Sequence, residues 1–161
     1  MRPLLVALFA LIFVGGAAAA TFTFAVTTAT PITLATVTLS GVDQTQSFSI
    51  ANTVAYTGGG NTAGWNVQAS ATTPTAGSNT LPALQVTGGS AVCQGTCATA
   101  PTSSVTFPIT LSTTATRVYN AALNTGRGTF TVSNTFLATY PANIYPGTYA
   151  STVTLTGSTG P

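Results

Sequence analysis

Phe48-Ser49-Ile50-Ala51-Asn52-Thr53-Val54-Ala55-Tyr56 sets Phe48, Ile50, Val54 and Tyr56 on alternate positions, broken only by Asn52, with small or hydroxyl-bearing residues between them. A period of two over this length is the pattern of a half-buried strand, because successive side chains leave opposite faces of a pleated sheet. The same texture runs outward in both directions. Phe22 and Phe24 alternate with threonine in a first strand, and Ile32, Leu34, Val37 and Leu39 mark a second, opened by Pro31 and closed by Gly41. Beyond the flexible loop Thr57-Gly58-Gly59-Gly60-Asn61, Trp65, Val67 and Ala69 alternate. Residues 72–82, rich in Pro, Ser, Thr and Gly, read as a surface crossing. Leu84 and Val86 form a short strand, and Phe107, Ile109 and Leu111 a clear one. Phe130 and Val132 mark another, and Tyr149, Ser151, Val153 and Leu155 the last. Arg117 to Leu123 is expected to form one short turn. About eight short antiparallel strands at this spacing read as a sandwich or a barrel. An all-β, Ig-like β-sandwich is the preferred expectation, because inner-face residues are apolar while outer ones are polar. No internal repeat or linker divides it.

The chain opens differently. Arg2 precedes an unbroken apolar run from Leu4 to Val14, followed by Gly15-Gly16 and a string of alanines. Charge, a short apolar stretch and small residues, in that order, form the secretory signal pattern. The run is too short to span a bilayer, which takes about 20 apolar residues. Residues 1–20 are therefore read as a signal helix cleaved after Ala20. Residues 21–161 are read as one exported β-domain with no membrane span after cleavage.

Charge is nearly absent. The whole chain has three basic residues, one acidic residue and no histidine. After cleavage, Arg117, Arg127 and Asp43 remain, against the roughly 25% charged residues of ordinary soluble domains. Threonine, about a quarter of the mature sequence, takes over the wetting of the surface. It is β-branched, favours strands and still offers water a hydroxyl. This inventory excludes most chemistry. General acid–base catalysis draws on His, Glu, Asp or Lys, of which only Asp43 survives. A hydroxyl nucleophile has no basic neighbour to activate it. No metal or cofactor site is expected, and two arginines cannot supply a nucleic-acid footprint. The chain is read as no enzyme. No lysine exists to form a Lys–Asn cross-link, and no Asn-x-Ser/Thr acceptor is present.

Cys93 and Cys97 enclose only Gln-Gly-Thr. In an exported chain two cysteines are expected to pair. The bridge then either stiffens a loop tip or shapes a loop that touches a ligand. Trp65, the single tryptophan, has two open readings as well. Facing inward, it anchors the core. Facing outward, it forms with Gly64 and Asn66 a ligand-binding platform that stacks a sugar ring. Arg127, between two glycines, reads as a solvated turn residue. Arg117 either runs along the sheet or pairs with Asp43.

Two stretches carry a family likeness. One runs from Ser49-Ile50-Ala51-Asn52 through the glycine loop to Ala63-Gly64-Trp65-Asn66-Val67. The other is Tyr145-Pro146-Gly147-Thr148-Tyr149-Ala150-Ser151-Thr152-Val153-Thr154-Leu155 with Gly160-Pro161. Together they resemble the WxL-domain surface proteins of Gram-positive bacteria. Trp65 matches the first tryptophan motif, with Val67 in place of leucine, and the second motif is absent. The resemblance implies a secreted protein of the cell-wall surface that binds peptidoglycan, or another surface component, non-covalently. A second class stays open beside it: a pilin-like or sheath-like subunit that self-associates by donating Thr21 to Val26 to a neighbour's sheet.

Overall fold

The computed structural model describes residues 21–28, 32, 34–57 and 62–161. The signal segment 1–20, Pro31 and the glycine run 58–61 lie outside the described residues. The described chain is all-β, with ten antiparallel strands and no helix. They are β1 (Thr21–Val26), β2 (Gln44–Thr57), β3 (Trp65–Ala71), β4 (Thr75–Ala76), β5 (Asn79–Thr80), β6 (Gln85–Cys93), β7 (Ile109–Thr110), β8 (Thr116–Ala121), β9 (Gly128–Tyr140) and β10 (Val153–Thr159).

One sheet has the order β1-β2-β9-β6-β7 and curls into half a barrel. A second has the order β10-β3-β8, and β4 and β5 form a small hairpin. The frame is the β2–β9 pair, in register without a bulge from Gln44↔Tyr140 to Tyr56↔Gly128. Its inner face carries Ile50, Val54 and Tyr56 from β2, and Phe130, Val132, Phe136 and Ala138 from β9. These residues share one apolar cluster with Trp65, Val67 and Ala69 of β3 and Val118, Tyr119 and Ala121 of β8.

Trp65 sits at the centre of that cluster, with no exposed surface. Its ring stacks on Tyr119 at 5.8 Å between centroids and tilts against Phe130 at 6.3 Å. Its Nε1 donates to the Gly126 carbonyl at 2.9 Å, so the one polar atom of the indole is satisfied inside the core. The same inner face also holds Asn52 and Asn134, both fully buried. Asn134 donates to the Val118 carbonyl at 3.1 Å. Neither amide atom of Asn52 has a protein partner, a cost of about 1–3 kcal/mol that the surrounding apolar burial must offset.

Four expectations change. Ile32, Leu34, Val37 and Leu39 form no strand. Their spacing switches parity between 34 and 37, so a straight strand cannot turn all four to one side. The segment crosses the inner face of β2 instead, where Gln46 donates to the Ala35 carbonyl at 2.9 Å and Gln44 to the Thr38 carbonyl at 2.7 Å. The strand expected at Phe107–Leu111 shrinks to Ile109–Thr110, because Pro108 has no N–H to lend a ladder. The turn expected at Arg117 to Leu123 is β8. A bulge leaves Val118 between the pairs Val67↔Tyr119 and Gln68↔Arg117, which scrambles the period of two. The crossing at 72–82 contains the β4–β5 hairpin. As for charge, Arg117 is exposed, and the Asp43 carboxylate accepts the Ala142 amide at 2.8 Å.

Two predictions follow from this packing. Trp65→Ala removes the largest fully buried side chain and its bond to Gly126, so it should cost about 3–5 kcal/mol in urea-induced unfolding. A loss below about 1 kcal/mol would show the indole to be peripheral. The second concerns pH. Burial pushes the Tyr119 and Tyr140 hydroxyls above the ordinary tyrosine value of 10.0. In the unfolded chain these tyrosines ionise first, so the stability they carry is complete below about pH 10 and is lost as pH rises through their folded values. With no His, Lys or Glu, the unfolding midpoint should stay flat from about pH 6 to about pH 9 and fall above it. A midpoint that shifts near neutrality would contradict this.

Candidate functional site

The strands of the two sheets differ in length. β2 has 14 residues and β9 has 13, whereas β3 and β10 have 7 each and β8 has 6. At the Gln44 end of β2, therefore, part of the long ribbon's inner face has no strand above it. Coil covers it only in part. Residues 34–39 cross on one side and residues 144–152 on the other, leaving a groove of about 1070 Å³.

The groove floor is Phe48 and Ile50 of β2 with Ala138 and Tyr140 of β9. Its walls bring Leu34, Val37, Leu84 and Ile144. Phe48 is held in place by stacking on Phe136 at 5.3 Å, nearly parallel. Hydroxyls are set along the rim, from Thr36, Thr148, Ser151 and Thr152. Tyr149 donates to the Tyr145 carbonyl at 2.8 Å, which fixes the rim loop, and Tyr145 itself stands 68% exposed beside the opening. Among the described residues no charged side chain lines this groove. It can bind by apolar contact, ring stacking and neutral hydrogen bonds, and its lining offers no acid–base pair.

Trp65, Gly64 and Asn66 lie elsewhere, and all three are buried. Of the two readings open for Trp65, this geometry is that of the core anchor: no ring face is open to a sugar. Gly64 has φ of +70°, and a Cβ there would run into the Ala121 and Ala122 carbonyls. Gly126 has φ of +69°, and a Cβ would lie 2.5 Å from the indole nitrogen. Both positions take glycine because the chain turns left-handed while pressed against the ring and its strand. Asn66 donates to the Gly160 carbonyl at 2.7 Å and accepts from Gln68 and Ser158, so its amide ties the end of β10 to β3.

Cys93 and Cys97 form a disulfide. The loop it closes is tethered to the start of β9, with Gln94 N donating to the Thr129 carbonyl and Ala98 N to the Arg127 carbonyl. It borders a small pocket of about 260 Å³ lined by Tyr56, Thr57, Thr96, Ala98, Arg127 and Gly128. Arg127 is half-buried there, not freely solvated. This corner lies at the Thr57 end of β2, opposite the large groove. Thr21 pairs with Thr57, and Thr159 with Trp65, so both ends of the described chain also emerge at the disulfide end.

The groove escaped the sequence reading, since it depends on one sheet outrunning the other. The nearest local signal was the run of tyrosines at Tyr140, Tyr145 and Tyr149 around Pro141 and Pro146. Replacing both cysteines by serine should lower stability by about 2 kcal/mol, the chain-entropy value for so short a loop, and leave the Trp65 emission unchanged. A red-shifted emission would mean that the bridge holds the core and not the loop alone. Compared with protein-family models, curated proteins and solved structures, the chain matches none.

Proposed function

We propose that this is a secreted, non-catalytic module of the bacterial cell surface, an Ig-like two-sheet sandwich that holds cell-wall peptidoglycan non-covalently. The observation that carries the binding role is the uncharged groove over the Gln44 end of the β2–β9 ribbon, with tyrosines and hydroxyls on its rim. Sugars and short peptides are recognised by such a mixture of ring faces and neutral donors. The wall as the target comes from the family resemblance of the Trp65 segment and the Tyr145–Leu155 segment.

One observation favours the second reading, a self-assembling subunit. β1 is an edge strand whose ladder partner is β2 alone, with Phe22 resting edge-on against Tyr56 at 6.4 Å. Such a strand is exchangeable between copies.

Co-sedimentation of residues 21–161 with purified peptidoglycan sacculi, with light scattering of the free protein, separates the two. The wall module should pellet saturably as a monomer. Tyr145→Ala with Tyr149→Ala should weaken pelleting about tenfold, since each aromatic contact is worth roughly 0.5–1.5 kcal/mol. No pelleting, together with scattering from long particles, would replace the wall module by the polymer subunit.

A further inference from the structure

Among the described residues that line the pocket at the disulfide end, Arg127 alone is charged. It is half-buried, and its backbone is held in place. Its N–H donates to the Thr99 hydroxyl at 3.2 Å, and its carbonyl accepts the Ala98 amide at 2.9 Å and the Thr99 amide at 3.3 Å. The glycines on either side press against fixed groups. A Cβ on Gly126 would strike the Trp65 indole, and one on Gly128, where φ is +140°, would lie 2.8 Å from the Cys97 Sγ. The core on one side and the disulfide on the other thus set where the Arg127 side chain leaves the chain.

No side chain neutralises it. Asp43, the only acidic residue, precedes the Gln44 end of β2, whereas Arg127 lies beyond the Tyr56↔Gly128 pair at the other end of that 14-residue strand. At about 3.3 Å per residue the gap is roughly 40 Å, several times the Debye length of about 8 Å in physiological salt. Asp43 is also engaged by the Ala142 amide. Among the described residues no group hydrogen-bonds or ion-pairs with the Arg127 guanidinium. A second polar group lines the same pocket without a partner. Tyr56 is only 2% exposed, yet among the described residues nothing hydrogen-bonds to its hydroxyl. Buried hydroxyls ordinarily take a partner. Thr96, between the two cysteines, adds an exposed hydroxyl.

We infer that this pocket binds the carboxylate of a small, otherwise uncharged molecule on Arg127, Tyr56 and Thr96. The guanidinium is a planar fork of N–H donors that matches the two oxygens of a carboxylate. The Tyr56 and Thr96 hydroxyls supply further donors. One positive charge balances a monoanion. A phosphate group, at about −1.5 to −2 near neutrality, would leave excess negative charge in a half-buried place. Volume limits the ligand further. The pocket's 260 Å³ falls below the range of about 300–1,000 Å³ that holds a drug-sized molecule, so it takes a group of amino-acid or monosaccharide size. The site lies at the opposite end of β2 from the groove and does not rest on the binding role proposed there. It also gives the disulfide a task, since the bridge fixes the Thr96 and Ala98 wall beside Arg127.

A peptide end and a sugar acid share this chemistry, and four probes separate them from other anions. N-acetyl-alanyl-alanine, its C-terminal amide, glucuronic acid and inorganic phosphate are each titrated into the isotope-labelled 21–161 protein. The resonances of the Arg127 Nε–H and the Gly128 amide are followed. At least one of the two acids should shift both resonances saturably, and the tighter one identifies the source. The amide and phosphate should bind about tenfold more weakly than that acid, or less. Arg127→Gln should weaken the acid about tenfold. Tyr56→Phe should weaken it about threefold at an unchanged unfolding midpoint, a split that a purely structural tyrosine would not give. Tyr145→Ala with Tyr149→Ala, at the distant groove, should leave it within about twofold. Amide or phosphate binding as tight as the acids, or undiminished binding by folded Arg127→Gln, would overturn the site. No shift with either acid would overturn it as well. The resonances of the unsubstituted protein decide the matter even if Arg127→Gln fails to fold. Sacculi that still pellet with the protein in that case would leave the wall-binding reading standing.

Discussion

The long β2–β9 ladder is the constraint on which the other elements depend. From Gln44↔Tyr140 to Tyr56↔Gly128 it runs without a shift, so every even-numbered residue of β2 faces the interior along the whole strand. A slip of one residue would turn Phe48, Ile50, Val54 and Tyr56 to solvent together, which is why the register is unambiguous. β1 pairs on one flank of this ribbon and β6 on the other. The second sheet covers the Tyr56 half of its inner face, where Trp65 closes the core. The half that the shorter strands do not reach becomes the groove. Core and groove are therefore two ends of one surface, separated only by what lies above it.

The Trp65 end shows how a core is locked without ion pairs. The indole donates its hydrogen bond to the carbonyl of Gly126, a residue 61 positions away, and that carbonyl is within reach only because Gly126 has no side chain to hold the strands apart. Asn66, Asn120 and Asn134 act in the same way. Each carries a neutral amide into a buried place and bonds it to backbone, so strand ends and loops are fixed by dipoles. Asn120 alone accepts the Ser104 amide and the Ser103 hydroxyl, pinning the long connection before β7 against β8. A network of neutral groups of this kind is insensitive to salt, because there is little for counterions to screen.

How much of this was legible in the sequence follows from where the period of two survives. It is clean in β1, in the Phe48–Tyr56 stretch of β2 and in the Trp65–Ala69 stretch of β3, and those strands are where the alternation places them. It fails at β8, where the Val118 bulge puts consecutive residues into buried positions and the pattern passes for a turn. It misleads at 32–39, where apolar residues are present but their parity breaks. The disulfide was legible once the chain was read as exported, and Trp65 was legible as one of two alternatives. The groove was not legible, because no single stretch encodes it. It arises from the difference between a 14-residue strand and its 7-residue neighbours across the core, and from two coils that meet above the gap.

The scarcity of charge links the surface to the site. Most β-proteins mark their free edges with lysine, glutamate or proline, so that an exposed ladder repels its own kind. This chain keeps one acid and two arginines in residues 21–161, and none of them stands on β2. Asp43, immediately before β2, is already engaged by the Ala142 amide at the turn after β9. On the proposed binding role, discrimination in the groove must then come from shape: the apolar floor at Phe48 and Ile50, and the rim held by the bond from Tyr149 to the Tyr145 carbonyl. A charged ligand would have to leave its hydration behind at a lining with no counter-charge among the described residues, which costs several kcal/mol per ion. An uncharged ligand meets no such barrier, so the neutrality of the surface and the selectivity expected of the groove have one origin.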